Sequence, residues 1–148
     1  MKIKLRLNKE TEESIKNELE QKRIEISEDA SLTLTEDDYH AGKLTCKDDG
    51  DIVIVAMEDI CYIESIGKEV WVNTLTRKYK TALRIYQLDQ ILPAKDFIRI
   101  SNSIIIQRNS IKRIKPALSC KFYLTLKTND TVDVTRTYYY KFKEFYGI

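Results

Sequence analysis

Hydrophobic and polar residues alternate at the start of the chain. Over residues 1–7 every second side chain is apolar and the others are cationic, a period of two that predicts a half-buried strand. A helix is predicted over residues 8–22, because Asn8 or Thr11 can cap its start, glutamates fill its first turns, and Ile15 and Leu19 form a thin apolar stripe. Two short strands are predicted after the helix, at 24–26 and 32–34. The first third is therefore predicted to be a small β-α-β unit.

From residue 43 onward the pattern changes to short apolar runs with polar turns between them. The run 52–55 contains only β-branched residues, which predicts a buried strand. Turns are predicted at 64–68 and at 75–77, the second of them closing a hairpin. The other predicted strands are 44–46, 60–63, 70–74, 78–80, 97–100, 104–106, 111–114, 122–126 and 132–134.

Two helices are predicted within this second part. The first covers 83–92 and ends at Pro93, and its predicted inner face consists of Ile85, Leu88, Ile91 and Leu92. The second begins near Thr137 and turns Phe142 and Phe145 inward. Many short strands around one central helix predict a mostly-β (α+β) domain with sandwich-like or barrel-like layers. We expect this domain at 43–148, after an N-terminal region at 1–42.

The composition argues against most catalytic chemistry. The one histidine, His40, lies in an acidic polar stretch, and any catalytic triad or histidine-based zinc site would have to use it. The three cysteines, Cys46, Cys61 and Cys120, form no Cys-x-x-Cys pair, which indicates reduced thiols, some of them in the core. The four glycines are too dispersed for a phosphate-binding loop. We therefore expect no enzyme, no metal or cofactor site and no small-molecule substrate.

Hydropathy gives no sign of export or membrane insertion. No run approaches the roughly eighteen apolar residues that a spanning helix needs. The alternating residues 1–7 lack the unbroken apolar stretch of a signal peptide. The predicted helix at 8–22 has neither the cationic face nor the bulky apolar face of an interfacial anchor. We therefore expect a cytoplasmic protein.

The net charge of +2 conceals an asymmetry between the two parts of the chain. Residues 1–42 carry 7 basic and 11 acidic side chains, which gives −4. Residues 43–148 carry 18 basic and 12 acidic side chains, which gives +6. A basic second part is consistent with a polyanionic partner, either nucleic acid or an anionic membrane surface, and equally with an ordinary solvated surface.

Three polar loops interrupt the predicted strands, at 67–69, 101–103 and 135–137. Lysine, serine and threonine side chains there suit phosphate contacts, while asparagine pairs well with adenine and arginine with guanine. The alternative is that these are ordinary turns, since Asn favours turns and Thr137 can simply begin a helix. The residues alone leave both interpretations open.

Six segments form an ordered series along the second part of the chain, at 60–64, 67–72, 83–92, 97–107, 111–114 and 132–136. Taken in order, they resemble the LytTR family of bacterial DNA-binding domains. The most distinctive is 97–107, which resembles the family pattern Phe-x-Arg-x-His-x-Ser-x-Ile-Val-Asn. Ser101 stands where many members have His, Gln107 where they have Asn, and Thr135 where they have Ser. These departures keep the capacity to form hydrogen bonds.

The resemblance implies an elongated β module with one central helix and a short C-terminal helix, which sends loops into successive major grooves of double-stranded DNA. It implies base contacts by Asn102, by Arg136 and by the loop 68–70, where the apolar Val70 either loses the contact or touches a thymine methyl group. It also implies transcription regulation by a pair of copies on direct repeats about one helical turn apart. The phosphate contacts implied by the resemblance are Lys68, Ser101, Ser103, Thr135 and Thr137. The alternative is a protein-interaction module that keeps only non-specific affinity for DNA.

Residues 1–42 are too few for the phosphate-accepting receiver domain that many relatives carry, because its parallel strands need crossover helices. We therefore expect a stand-alone regulator without phosphorelay control. The N-terminal region would then serve as a homodimer contact or as a surface for another partner. Some stand-alone relatives are paired with a membrane protein, and the sequence leaves that partner open.

Overall fold

The computed structural model describes residues 1–36 and 42–148. The chain divides into two compact units, 1–41 and 42–148. His40 and most of the acidic stretch around it lie outside the described residues, so the interpretation given to His40 stays a prediction. Within the described ranges, no helix is long and apolar enough to cross a membrane.

The first unit is a β-α-β arrangement, as the alternating pattern predicted. Its elements are β1 (Lys2–Arg6), α1 (Lys9–Gln21), β2 (Glu25–Ile26) and β3 (Leu32–Thr35). All three strands are parallel, with β1 between β2 and β3. Ile3, Leu5 and Ala30 are its buried apolar residues, whereas α1 has none. The thin apolar stripe of α1 therefore gives this unit only a small core.

The second unit is mostly β and contains two antiparallel sheets. Its strands are β4 (Lys43–Asp48), β5 (Asp51–Ala56), β6 (Ile60–Ile66), β7 (Glu69–Thr74), β8 (Lys78–Thr81), β9 (Phe97–Arg99), β10 (Ile104–Gln107), β11 (Ile111–Ala117), β12 (Lys121–Leu126) and β13 (Thr131–Val134). Its helices are α2 (Ile85–Ile91) and α3 (Tyr139–Tyr146). The larger sheet has the order β5-β4-β8-β7-β6-β10-β9 and the smaller sheet the order β11-β12-β13.

Two hydrophobic cores lie on opposite faces of β6, β10 and β9, three neighbouring strands at one side of the larger sheet. On β10, Ile105 belongs to the first core and Ile106 to the second, because successive side chains of a strand point to opposite faces. Helix α2 supplies Leu88 and Leu92 to the first core. The smaller sheet and α3 complete the second core, with Phe142 fully buried among aromatic rings. These layers confirm the predicted mostly-β fold with one central helix and a C-terminal helix.

The prediction of a buried strand at 52–55 is wrong for half of its side chains. Ile52 is 72% exposed and Ile54 is 66% exposed, while Val55 is buried in the first core. The reason is that β5 is an edge strand of the larger sheet with only one covered face. A continuous apolar run therefore does not by itself show that both faces are packed.

The predicted helix and its inner face also need correction. Helix α2 spans Ile85–Ile91, shorter at both ends than predicted. Leu88 and Leu92 are buried as predicted, but Ile91 is 44% exposed. Trp71 is half-buried, and the Lys80 Nζ lies 4.9 Å from the centre of its ring.

The turn predicted at 64–68 is tighter than expected. Strand β6 continues to Ile66, so only Gly67 and Lys68 connect it to β7. Gly67 has a φ of +60°, a conformation that glycine adopts at low cost and that tight hairpin turns require. Glu64 and Ser65 are therefore part of the sheet, opposite Trp71 and Val70.

All three cysteines are free thiols, and two of them lie in the cores as expected. Cys46 belongs to the first core and Cys61 to the second. Burial raises the pKa of the Cys46 thiol to about 11, and it also raises the pKa of Cys61. Both thiols are therefore protonated, and unreactive as nucleophiles, at neutral pH.

Replacement of Phe142 by alanine tests the importance of the second core. Phe142 is fully buried, and its ring centroid lies 5.3 Å from that of Phe122 and 4.9 Å from that of Tyr146. We expect Phe142→Ala to lower the free energy of unfolding of this unit by about 3–5 kcal/mol, because it removes the ring and leaves a cavity. Urea unfolding followed by the fluorescence of Trp71 measures the change.

The matched control is Tyr140→Ala, since Tyr140 lies on the same helix and is 71% exposed. We expect its effect to stay within about 0.5 kcal/mol. Equal unfolding midpoints for the two variants would show that α3 does not contribute to the core as the contacts indicate.

Candidate nucleic-acid interface

Two of the three polar loops are joined by hydrogen bonds. The backbone N–H of Thr135 donates to the carbonyl oxygen of Ile100 at 3.0 Å, and the Thr135 hydroxyl donates to the same oxygen at 3.4 Å. The Tyr138 hydroxyl donates to Oδ1 of Asn102 at 3.3 Å. The loop at 101–103 and the segment at 135–138 are therefore neighbours, although about 35 residues separate them along the chain.

The third loop lies at the same end of the sheet. Strand β10 pairs with β6 from Ile104 opposite Glu64, and the N–H of Ser65 donates to the carbonyl oxygen of Ser103 at 2.8 Å. The turn at Gly67 and Lys68 follows one residue after Ile66, the last residue of β6. All three polar loops thus emerge at one end of the central strands.

Arg99 fixes the conformation of the loop at 101–103. Its Nε donates to the carbonyl oxygen of Ser101 at 3.2 Å, and its Nη2 donates to that of Asn102 at 2.6 Å. The N–H of Ser103 donates to Oγ of Ser101 at 3.2 Å. These bonds hold Asn102 exposed at the tip of a braced loop. Arg99 is the arginine of the Phe-x-Arg pattern, but no positioning role was predicted for it from the sequence.

The predicted site residues differ in how much surface they present. Lys68, Asn102, Arg136 and Thr137 are exposed, and Ser103 and Thr135 are half-buried. Ser101 is 8% exposed and its hydroxyl oxygen already accepts a hydrogen bond within the loop. The exposed side chains can contact a ligand directly, whereas the hydroxyl group of Ser101 stabilises the loop that carries Asn102.

Val70 is 3% exposed and belongs to the first core. A thymine-methyl contact requires an accessible side chain, so Val70 is left out of the candidate interface. Val70 was expected in an exposed loop. Because Gly67 and Lys68 alone form the turn, Val70 is instead the second residue of β7. The exposed residues here are Gly67, Lys68 and Glu69.

The turn at Gly67 and Lys68 has a second cation beside it that sequence reasoning did not identify. Nη1 of Arg84 donates to the carbonyl oxygen of Lys68 at 3.2 Å. The acid of the turn, Glu69, pairs with Lys80 at 3.0 Å. Because that carboxylate is neutralised locally, the surface around Lys68 is positive. The signal available in the sequence was a cation at the start of the predicted central helix.

Arg136 opens a short 3-10 helix that leads into α3. The helix covers Arg136–Tyr138, and the N–H of Tyr138 donates to the carbonyl oxygen of Thr135 at 3.0 Å. Tyr138 therefore joins the helix start to Asn102. Tyr138 is thus a second residue of the candidate interface that the sequence analysis did not identify. The two neighbouring segments thus carry an amide and a guanidinium, the two groups that best distinguish adenine and guanine.

No group of three or more histidine, cysteine, aspartate or glutamate side chains suited to holding a metal ion occurs within the ranges that the structure describes. The cations near the three loops are Lys68, Lys80, Arg84, Arg99 and Arg136. The chemistry of this end of the unit is therefore that of hydrogen-bond donors and positive charge, which suits phosphate and base edges.

Comparison with known proteins identifies a DNA-binding domain in this chain. A family model described as the LytTr DNA-binding domain matches residues 50–147. The chain is 32% identical over 116 residues to the sensory transduction protein LytT of Bacillus subtilis (strain 168), a match that covers 77% of this chain and 48% of that protein. LytT of Bacillus cereus is 29% identical over 136 residues, which cover 92% of this chain and 55% of that protein.

A solved structure has a similar fold. It is described as the LytTr DNA-binding domain of a response regulator from Bacillus cereus, and it superposes with a TM-score of 0.69 at 25% sequence identity, covering 72% of this chain and 98% of that one. The present chain spans about half the length of the LytT proteins that it matches. Because the family model covers well over half of the chain, this protein belongs to the LytTR family of DNA-binding domain proteins.

Proposed function

We propose that this protein is a transcriptional regulator that recognises specific sequences in double-stranded DNA through the end of the unit where the three polar loops emerge. The observation that carries the proposal is the bonded pair of loops at 101–103 and 135–138, which sets Asn102 beside the segment of Arg136. Two base-reading side chains on neighbouring braced loops are what sequence recognition in a major groove needs.

The proposed roles follow from exposure and chemistry. Asn102 and Arg136 read base edges, since both are exposed and both can form two hydrogen bonds to one base. Lys68, Ser103, Thr135 and Thr137 bind phosphates, and Arg84 adds a cation beside Lys68. Ser101 acts through the loop rather than by direct contact. Arg99 and Tyr138 are positioning residues, because they hold Asn102.

We further propose that two copies bind direct repeats whose centres lie about one helical turn apart, roughly 34–36 Å. Support comes from the family resemblance and from the basic second part of the chain, with 18 basic against 12 acidic side chains over 43–148. The N-terminal region is proposed as a homodimer contact or as a surface for another partner, a membrane protein among them. A DNA target implies that the protein acts in the cytoplasm.

Selection from a random duplex library tests the proposal directly. The protein is incubated with the library at about physiological salt, and bound DNA is amplified and sequenced over several rounds. We expect a motif repeated at about 10–10.5 bp, bound roughly 10³-fold or more tightly than bulk DNA. Recovery of no motif, with binding that disappears as salt rises, would indicate an interaction module with a basic surface and would overturn the proposal.

Alanine substitutions test the two base-reading residues. We expect Arg136→Ala and Asn102→Ala each to weaken binding to the selected site by about 1–3 kcal/mol, with much smaller effects on random DNA. Arg136→Lys should restore charge but not guanine preference, because lysine lacks the two-pronged guanidinium. Fluorescence anisotropy on both duplexes measures the affinities. Equal losses on selected and random DNA would contradict a base-reading role.

Lys68 is expected to behave differently from the base readers. A lysine on phosphate contributes to all sequences alike, so Lys68→Ala should weaken binding to selected and random DNA by the same factor. It should also reduce the slope of log K against log salt by about 1. The matched control is Lys43→Ala, an exposed lysine on β4 in the same unit. A salt slope unchanged by Lys68→Ala would remove Lys68 from the interface.

A further inference from the structure

The hairpin between β11 and β12 presents an apolar side chain at its tip. Leu118 is 90% exposed, more than any other large hydrophobic residue among those that the structure describes. Ala117 pairs with Lys121, so residues 118–120 form the loop and Leu118 leads it. A leucine with this exposure contributes nothing to either core, which leaves its conspicuous position without a structural explanation.

The tip lies at the end of the second unit that carries the proposed DNA-contacting loops. Phe122 on β12 pairs with Val134, the last residue of β13. The residues that follow Val134 are therefore next to the residues that precede Phe122. The hairpin tip and the segment of Thr135 and Arg136 thus emerge at the same end of the strands of the smaller sheet.

The hairpin is also strongly basic. Residues 111–121 contain Lys112, Arg113, Lys115 and Lys121 and no acidic side chain. Lys115 and Lys121 lie on the same face of the smaller sheet, since they pair with Tyr123 and Ala117 respectively and alternate positions share a face. Leu118 is therefore an apolar point flanked by cations, a combination that suits a polyanion with an apolar interior.

The backbone of the tip is held in an unusual conformation. Ser119 and Cys120 both have positive φ, +64° and +55°, where glycine or asparagine is normally preferred. Two consecutive residues of this kind store strain, and strained turns often occur at functional sites. These two residues directly follow Leu118 in the loop.

We propose that Leu118 inserts between base pairs in the minor groove next to the major groove that Arg136 contacts, while Lys115 and Lys121 bind the phosphates between the two grooves. The inference rests on the proposed function and adds a contact to it. Two strand spacings separate β13 from β11, about 10 Å, and the tip extends beyond them. Adjacent grooves are about half a turn apart, roughly 17 Å, so the side chains of Leu118 and Arg136 have to diverge from the sheet to reach both.

The physical reason for a minor-groove site is the chemistry of leucine. It cannot form hydrogen bonds to base edges, but apolar side chains partly unstack a base step and kink the duplex. The cost of unstacking is offset when the bend brings more phosphates to basic side chains. The cations of the hairpin are positioned for this. The DNA in the complex should therefore be bent at a point beside the contact of Arg136.

Bending of the selected site tests the proposal. Circularly permuted fragments that carry the site recovered by selection are bound to the full chain, and gel mobility gives the bend. We expect wild-type protein to bend the site by tens of degrees, within the roughly 20–90° of intercalating side chains. Leu118→Ala should abolish most of the bend and weaken binding several-fold, while Leu118→Phe should keep both. A 2-aminopurine at the contacted step should brighten with wild type and with Leu118→Phe, but not with Leu118→Ala.

The matched control is Leu75→Ala. Leu75 is 65% exposed on the turn after β7, at the opposite end of that strand from Lys68, and its removal should change neither bend nor affinity. Lys121→Ala should weaken binding without abolishing the bend. These variants separate loss of a wedge from general loss of exposed leucine or of charge.

The outcomes distinguish this inference from the proposed function. An unchanged bend with intact specific binding by Leu118→Ala would overturn the wedge alone. An affinity loss that uracil in place of thymine reproduces would show a methyl contact in the major groove instead, and would overturn it too. If wild type does not discriminate the selected site from random DNA, both proposals fail.

Discussion

The burial of consecutive residues on both faces of the central strands is the constraint on which the second unit depends. On β10, Ile105 is 1% exposed in the first core and Ile106 is 0% exposed in the second. Ile63 and Tyr62 on β6 are divided between the cores in the same way. A slip of one residue would send each side chain to the wrong core, so the register of these strands is fixed.

The same register determines where the polar loops emerge. Because Ile104 lies opposite Glu64, the loop before β10 and the turn after β6 are at the same end of the sheet. Packing of the smaller sheet and α3 against the second core brings Thr135 to Ile100, and the hydrogen bonds between them join the remaining loop. The proposed recognition residues therefore stand on a rigid support rather than on loops that must order themselves when DNA binds.

Local sequence signals predicted much of this fold because they depend on near neighbours. Alternation at residues 1–7, the β-branched runs and Gly67 at a tight turn each act within a few residues. The Phe-x-Arg stretch also indicated the family and a loop containing Asn102. Errors arose where burial depends on distant partners: Ile52 and Ile54 lie on a face of β5 that stays exposed among the described residues, which their own sequence does not reveal.

The class of fold, the family and the chemical character of the candidate site could be predicted from the amino-acid sequence. Strand patterning, charge asymmetry and the ordered motifs are all properties of the linear chain. Tertiary structure alone decided which residues meet. In the folded chain Val70 is buried, and Asn102 is held by hydrogen bonds from Arg99 and Tyr138. Leu118 lies at the same end of the smaller sheet as Arg136. The physical reason is that exposure and proximity depend on the pairing of strands far apart in sequence, and pairing is settled only when both cores are packed.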